Sequence, residues 1–366
     1  MFRTVGMCRS LKLGGMKRKD TSRSAGRRLA WLVVPALVSL PGLADPEAAV
    51  EKPAEAGLLR LSRPMRAVVF RWENDAVGET DENYSNGISL SYLHSGRGLL
   101  GGIWGWFGVE EGQFFSSYDV GQIMVTPRDT DRPIPDPEDR PYVGMLYASA
   151  STQLQRGHVL HGLKLVTGVV GPASQAEHVQ AWFHELIGDD KPQGWAYQLH
   201  NEPIFNLVYE HRRKYPLLAD TSAWSAEIIP VGNVMLGNVL IQAQAGAQVR
   251  FGYQVPDNFG TTLIRGFGAL PYARPRRNGE SEPRWGAYVF ASGSGVAVAR
   301  NLSLDGNTFE DSPSVEKNPF FLTGEFGLSL WTRWCEVTAS FVWWGEEFKN
   351  QARPSRFGAL AITVPF

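Results

Sequence analysis

Two short runs rich in carboxylates and amides stand five residues apart: Glu73-Asn74-Asp75 and Asp81-Glu82-Asn83-Tyr84-Ser85-Asn86-Gly87. A hairpin would bring them together. Crowded carboxylate and amide oxygens suit a hard cation, calcium above all. The same residues are common turn formers, and taken alone the polar-turn reading is the stronger. A second candidate is His184, with Gln180 one helical turn before it. A histidine titrating near neutral pH is the usual general base, although a single one reads first as a solvated surface residue. The chain has neither a G-x-S-x-G elbow nor an H-E-x-x-H zinc motif. His158 and His161 are spaced so that a strand would not place both on one face. His178 falls on the other flank of the His184 segment, and Asp305-Gly306-Asn307 reads as a tight turn before a ligand site.

The elements that must hold these residues are strands. From Val239, one parity reads Val239, Ile241, Ala243, Ala245, Ala247, Val249, Phe251 and the other Gln242, Gln244, Gly246, Gln248, Arg250. Phe320, Leu322, Phe326, Leu328 and Leu330 repeat the apolar parity, as do Leu360, Ile362, Val364 and Phe366. Such strands fit either a sandwich or a transmembrane barrel with its apolar face on lipid. Their length, near the ~9–11 residues of a tilted spanning strand, favours the barrel. So do a terminal Phe366 and aromatics at strand ends (Trp331 and Trp334, Trp343 and Trp344, Trp285 and Tyr288), which are expected as interfacial girdles. The expected fold is all-β, a transmembrane antiparallel β-barrel of about twelve strands. The strands lie near 66–73, 86–94, 117–125, 143–154, 157–169, 196–210, 223–231, 237–251, 285–294, 320–333, 334–345 and 357–366.

One helix is expected, near 173–187, inside a loop. Ser174-x-x-Glu177 matches a capping box, Pro172 precedes it and Gly188 follows. Val179, Trp182, Phe183, Leu186 and Ile187 share one side; Glu177, Gln180 and His184 share the other. The apolar side would pack on the barrel or lie in the lipid interface.

Residues 1–44 read as a secretory signal: Arg23, Arg27 and Arg28, an apolar stretch to Leu43, then a small-residue cleavage site at Ala44. Residues 45–65 form a periplasmic lead and 66–366 the barrel. The chain carries 36 Lys or Arg and 37 Asp or Glu; nine basic residues and one acid lie in 1–44, leaving 27 against 36, a net charge near −9. That charge gives no reason to seek nucleic acid. Cys335 is the one cysteine after residue 44, so neither an internal disulfide nor a thiolate zinc site is expected.

Together these segments resemble the lipid A 3'-O-deacylases of Gram-negative outer membranes. The resemblance is carried by Glu73-Asn74-Asp75, Asn83 to Gly87, Gln122 to Asp129, Arg140-Pro141-Tyr142-Val143-Gly144, Gly171-Pro172 with Gln180 and His184, Gly194-Trp195 with Gln198, Asn201, Glu202 and Pro203, and Leu304 to Asn307. It implies a twelve-stranded barrel, dependence on calcium, and cleavage of the ester holding the 3'-linked acyloxyacyl chain of lipid A. The implied site lies between the barrel wall and a loop helix. Asn74 and Asp75 match the family's Asn-Asp pair, and Ser85 stands where Thr is frequent. His184 matches the histidine proposed to activate water, with Gln180 before it. Some members have a site lysine after the strand-three proline; here Arg132 is its rough positional counterpart.

The expected chemistry is ester hydrolysis by water activated at His184, with calcium held partly by Asp75 and Asn74 donating to the carbonyl oxygen. Ser85 would orient a ligand or the water, or in a rival route be the acylated nucleophile. Arg128, Arg132 and Arg140 are expected to meet lipid phosphates. The competing functions are an outer-membrane phospholipase and a non-enzymatic pore or adhesin. A monomer is expected.

Overall fold

The computed structural model describes residue 65 onward apart from 76–82, 189, 219–222 and 274–282. The expected signal and all of the lead except Met65 lie outside the described residues, as do Asp81 and Glu82.

The strands are β1 (Arg66–Asn74), β2 (Asn83–Ser95), β3 (Gln113–Thr126), β4 (Val143–Arg156), β5 (Val159–Val170), β6 (Glu202–Arg213), β7 (Tyr215–Pro216), β8 (Trp224–Gly237), β9 (Leu240–Tyr253), β10 (Trp285–Asn301), β11 (Phe320–Thr332), β12 (Glu336–Trp344) and β13 (Ser355–Pro365). β13 returns to pair with β1, and β6 pairs with β8, so the antiparallel sheet closes on itself. Twelve strands are long. β7 continues β6 past Lys214 in the same register against β8, and the lysine pairs with Asp257. Closure leaves no unpaired edge, the condition for strands in hydrocarbon. The sixth strand starts at Glu202 rather than near 196, because Trp195–Tyr197 turns into a 3₁₀ helix.

Parity decides which residues meet lipid. Leu90, Val120, Leu146, Phe205, Val249, Phe251, Val289, Leu322, Phe326 and Leu328 point outward and are exposed. The opposite parity buries Arg71, Asp119, Lys164, Glu210, Arg212 and Arg250. Burying charge is costly unless it is paired. Lys164 meets Asp119 at 3.4 Å and Arg212 meets Glu210 at 2.7 Å. The same parity corrects the expected girdle. Trp331, Trp344 and Tyr288 point into the barrel and are buried. At the rim where β1 starts and β13 ends, the outer aromatics are Trp224, Tyr253 and Trp285, whose rings contact in series, together with Trp334.

The lumen is filled by the chain itself. Between β9 and β10, residues 254–273 fold back among the strands. Arg212 donates to the Phe259 and Thr261 carbonyls (2.8 and 2.9 Å), Arg71 to that of Gly268 (3.2 Å), Gln153 to that of Ala269 (2.9 Å) and Arg250 to that of Pro256 (3.0 Å). Phe259, Phe267 and Leu270 pack against Leu160, Val208 and Met235. An irregular backbone at membrane depth needs such donors, because no water supplies them.

Candidate active site on the outer wall

The opposite rim, where β1 ends and β2 begins, carries the candidate residues of the first hairpin. There the register aligns Asn74 with Asn86, Asn86 with Met124 and Met124 with Gly144, across β1 to β4. All four have outward parity. Asn74 donates its side-chain amide to the Ser85 carbonyl at 2.9 Å, and the Ser85 and Thr126 hydroxyls lie 2.5 Å apart. Trp72, also outward, donates to Asn86 Oδ1 at 2.9 Å. Asp75 closes β1 and is 3% exposed. Glu73 belongs elsewhere: it points into the lumen, where its carboxylate accepts from Tyr84. The run Glu73-Asn74-Asp75 is therefore split between two faces of the wall.

The expected helix forms as α2 (Ala176–Ile187), after the short α1 (Ile103–Trp106) in the β2–β3 connection. The capping box does not. Ser174 lies in a 3₁₀ turn over Pro172–Ser174, and Gln175, at φ 60°, is the N-cap with no side-chain cap bond. Gly188 ends the helix with left-handed φ 77°, as its sequence position implies. The faces are the informative part. Ala176, Gln180 and His184 are buried, whereas Val179, Trp182, Leu186 and Ile187 are exposed. Repeats at i, i+4 and i+8 share one side of a helix. α2 thus turns Gln180 and His184 inward and an apolar row outward, with Glu177, which shared the expected polar side, exposed together with His178 and Glu185; such a mixed apolar and charged exposed surface suits a lipid interface.

Several contacts fasten α2 over the outer wall. Ala176 and Trp195 pack with Met124 and Tyr142. Gln122, outward on β3, donates to the Ser174 carbonyl at 2.7 Å. Gly171 holds φ 95° where a side chain would strike the His200 backbone. Asn307 follows the short α3 (Leu302–Asp305) and brackets His200, accepting from its N–H at 2.9 Å and donating to its carbonyl at 3.0 Å. Asn201 accepts from the Ala173 N–H at 2.8 Å. The motif residues Asn201 and Asn307 are thus braces for the helix loop, a role that their spacing did not disclose.

On the buried row, Gln180 Oε1 accepts from Trp195 Nε1 at 2.8 Å. His184 Nδ1 meets the Asp190 carbonyl at 2.6 Å. A carbonyl only accepts, so Nδ1 carries the hydrogen and Nε2 of the neutral ring is the basic nitrogen. The two groups of candidates meet through neighbours: Met124, beside Asn86 in the register, packs on Ala176, which begins the Gln180–His184 row.

For calcium, this rim offers oxygens of the right type: the Asp75 carboxylate just past the end of β1, and the paired hydroxyls of Ser85 and Thr126. Among the described residues, no group of three His, Cys, Asp or Glu side chains could hold a metal. The donors fit a hard cation in kind, with Asp75 their one charged member.

The expected phosphate contact of Arg140 is corrected, whereas Arg128 and Arg132 are exposed. Arg140 is fully buried, donating to Glu347 at 3.2 Å, Ser303 at 3.3 Å and Asn83 at 3.4 Å. It locks loops together and does not reach lipid. Arg132 is exposed and pairs with Asp136 at 3.2 Å, and the exposed Arg128 follows β3. His161 and Tyr209 face outward near the other rim, 2.9 Å apart and far from this site.

The family model described as outer membrane protein LpxR matches residues 32–366. Among solved structures, LpxR from Salmonella typhimurium aligns with TM-score 0.67 at 17% identity, covering 81% of this chain and 99% of that one. The beta domain of the Bordetella autotransporter BrkA aligns at TM-score 0.36 and 8% identity, covering 82% of this chain and 98% of its own. Comparison with curated protein sequences gives no match. The chain belongs to the LpxR family of outer-membrane proteins, the lipid A deacylases that its motifs resemble.

Proposed function

We propose that this barrel hydrolyses the ester holding the 3'-linked acyloxyacyl chain of lipid A, working on the lipid-facing side of its wall. The observation that carries this reading is the inverted loop helix: His184 and Gln180 are buried while Trp182, Leu186 and Ile187 are exposed. A histidine meant for a soluble substrate would lie toward water. Here it sits on the inward row of a helix whose exposed row is apolar, an arrangement that suits an acyl ester held in the outer leaflet. Membership of the LpxR family supports the same substrate.

In this reading His184 Nε2 takes a proton from water as its oxygen attacks the ester carbonyl; the tetrahedral intermediate then breaks its bond to the sugar oxygen, and the imidazolium returns the proton to that oxygen, leaving a free carboxylic acid and a sugar hydroxyl. The Asp190 carbonyl holds the ring by Nδ1 and stabilises the imidazolium that forms. Gln180 is fixed by Trp195 one turn away and orients the water. Asn74, held against Ser85, lines the oxyanion side. The Ser85 hydroxyl shares a hydrogen with Thr126, which suits orientation of the water; the rival in which it is acylated needs that hydrogen to leave for His184. Calcium bound at Asp75 would supply Lewis-acid polarisation of the ester carbonyl.

Mass spectrometry of lipid A from cells producing the chain tests the proposal. The expected result is loss of the mass of an acyloxyacyl group, abolished in His184→Ala. Unchanged lipid A in calcium-containing membranes overturns it. Release of fatty acid from glycerophospholipid instead assigns a phospholipase, and ion conductance without acyl release assigns a pore.

A further inference from the structure

Glu73 and Asn74 are neighbours on β1 that face opposite sides of the wall, and so are Tyr84 and Ser85 on β2. Inside, Tyr84 donates its hydroxyl to Glu73 Oε2 at 2.7 Å. Outside, Asn74 donates to the Ser85 carbonyl at 2.9 Å. The two bonds cross from β1 to β2 back to back through the wall. They are needed because the β1–β2 ladder runs only to the rung Asn74↔Asn86. Tyr84 and Ser85 lie past that rung, beside a register shift between Asn83 and Asn86 and a positive φ of 70° at Asn83. Side chains, not ladder bonds, therefore set how this end of β2 sits on β1.

The inner bond has its own support. Glu73 Oε1 accepts the backbone N–H of Ile264 at 2.6 Å. Ile264 is on the segment that fills the lumen, 191 residues along the chain. Its neighbour Arg265 lies over the Trp344 ring at 4.4 Å and pairs with Glu347 at 3.5 Å. Tyr84 is wedged between Trp344 and Phe357 at ring distances of 5.4 and 4.8 Å. Gly87 has no Cβ because one there would collide with the Tyr84 hydroxyl. The carboxylate is 1% exposed and both its oxygens are committed, so it is a fixed point.

We propose that Glu73 is a positioning residue for ester hydrolysis on the outer wall. It acts as the inner half of a clamp whose outer half is the Asn74–Ser85 bond, with Ile264 of the lumenal segment as its support. The inference rests on the deacylase reading for its kinetic consequence. The lumenal segment thereby acts as a strut behind the site as well as a filler of the pore. Positioning errors near 1 Å can cost ~10²-fold in rate, and the clamp governs displacements of that size.

The test compares the full-length wild type with Glu73→Ala, Glu73→Gln and Tyr84→Phe, each shown to be a folded barrel by its heat-modifiable gel mobility. Deacylation kinetics on lipid A micelles and hydrogen–deuterium exchange over 70–75 and 84–88 are the two readouts. Glu73→Ala is expected to lower kcat by about 10- to 100-fold with KM near the wild-type value, and to raise exchange in both segments. Glu73→Gln recovers most of kcat, since its oxygen still accepts from Ile264 and its amide can donate to the Tyr84 oxygen. Tyr84→Phe, which removes one bond alone, falls between. Wild-type kcat in a folded Glu73→Ala, or equal losses in the Ala and Gln variants, overturns the clamp. An inactive wild type overturns the deacylase reading instead, and unchanged exchange in Glu73→Ala then overturns the clamp independently.

Discussion

Gly144 lies directly beneath the first turn of the loop helix: a Cβ there would collide with the Ala176 methyl and the Ser174 hydroxyl. The outward face of β4 is therefore the seat of the helix, and the absence of a side chain sets how near His184 can lie to the wall. Gly144→Leu should lift the helix. Overpacking typically costs ~1–3 kcal/mol, and here the strain falls on the loop and not on the β4 ladder. Deacylation should fall by about 10- to 100-fold while the thermal unfolding of the barrel changes little. Full activity in a folded Gly144→Leu barrel would show that the helix seat does not matter.

The exposed face of the same helix makes a separate prediction. Trp182 is 63% and Leu186 67% exposed. A charge on a lipid-facing surface costs about 0–4 kcal/mol depending on depth. Trp182→Glu with Leu186→Glu should reduce turnover of lipid A in bilayers by about tenfold, the effect of ~1.4 kcal/mol. Turnover of detergent-dispersed substrate should suffer much less. An equal loss in both settings would mean that the apolar row does not seat in lipid.

How much of this was legible in sequence depended on whether partners were local. The 239–251 alternation announced a lipid-facing strand because period two is a property of neighbours. Helix α2 was legible from its 3.6-residue period, but which face turned inward was not, since a pattern alone does not name the medium. The hairpin pairing of Asn74 with Ser85 followed from adjacency. The burial of Arg140 did not, because Glu347 is 207 residues away. Nor did the lumenal segment, whose backbone partners Arg71, Gln153 and Arg212 sit on three separate strands. One signal was available: Val255, Phe259, Leu263, Ile264, Phe267 and Leu270 are too apolar for a solvated turn. The capping motif at Ser174 failed because Gln175 takes the left-handed conformation and delays the helix start by a residue.

Calcium dependence is the third prediction. Asp75 is a carboxylate at 3% exposure just past the end of β1. Dialysis against a calcium-selective chelator should abolish deacylation, and calcium should restore it where magnesium, which demands a tighter octahedron, does not. Asp75→Asn should raise the calcium concentration for half-maximal activity by about tenfold or more, equivalent to at least ~1.4 kcal/mol. Chelator-resistant turnover, or an unshifted calcium requirement in Asp75→Asn, would remove the metal from the mechanism.

The last prediction concerns acid. Glu347, in the loop between β12 and β13, is fully buried and is shared by Arg140 at 3.2 Å and Arg265 at 3.5 Å. Burial alone would raise its carboxyl, but the Arg265 and Arg140 guanidiniums outweigh that and hold it below the usual carboxylate range. A depressed folded value means that its contribution to stability is complete above the unfolded value of about 4.3 and is lost as pH falls through the folded one. The loop over 345–354 should therefore be well protected at pH 6 and lose protection near pH 3, read as protection factors against the intrinsic exchange rate at each pH. Glu347→Gln should lose protection already at pH 6, because it leaves Arg140 as a buried cation without its counter-charge, and should show a shallower change with pH. Other carboxylates titrate in the same range, so the difference between wild type and variant is the quantity to read. If the two pH profiles run parallel, the Glu347 carboxylate, shared by Arg140 and Arg265, is not what ties the outer loops to the lumenal segment.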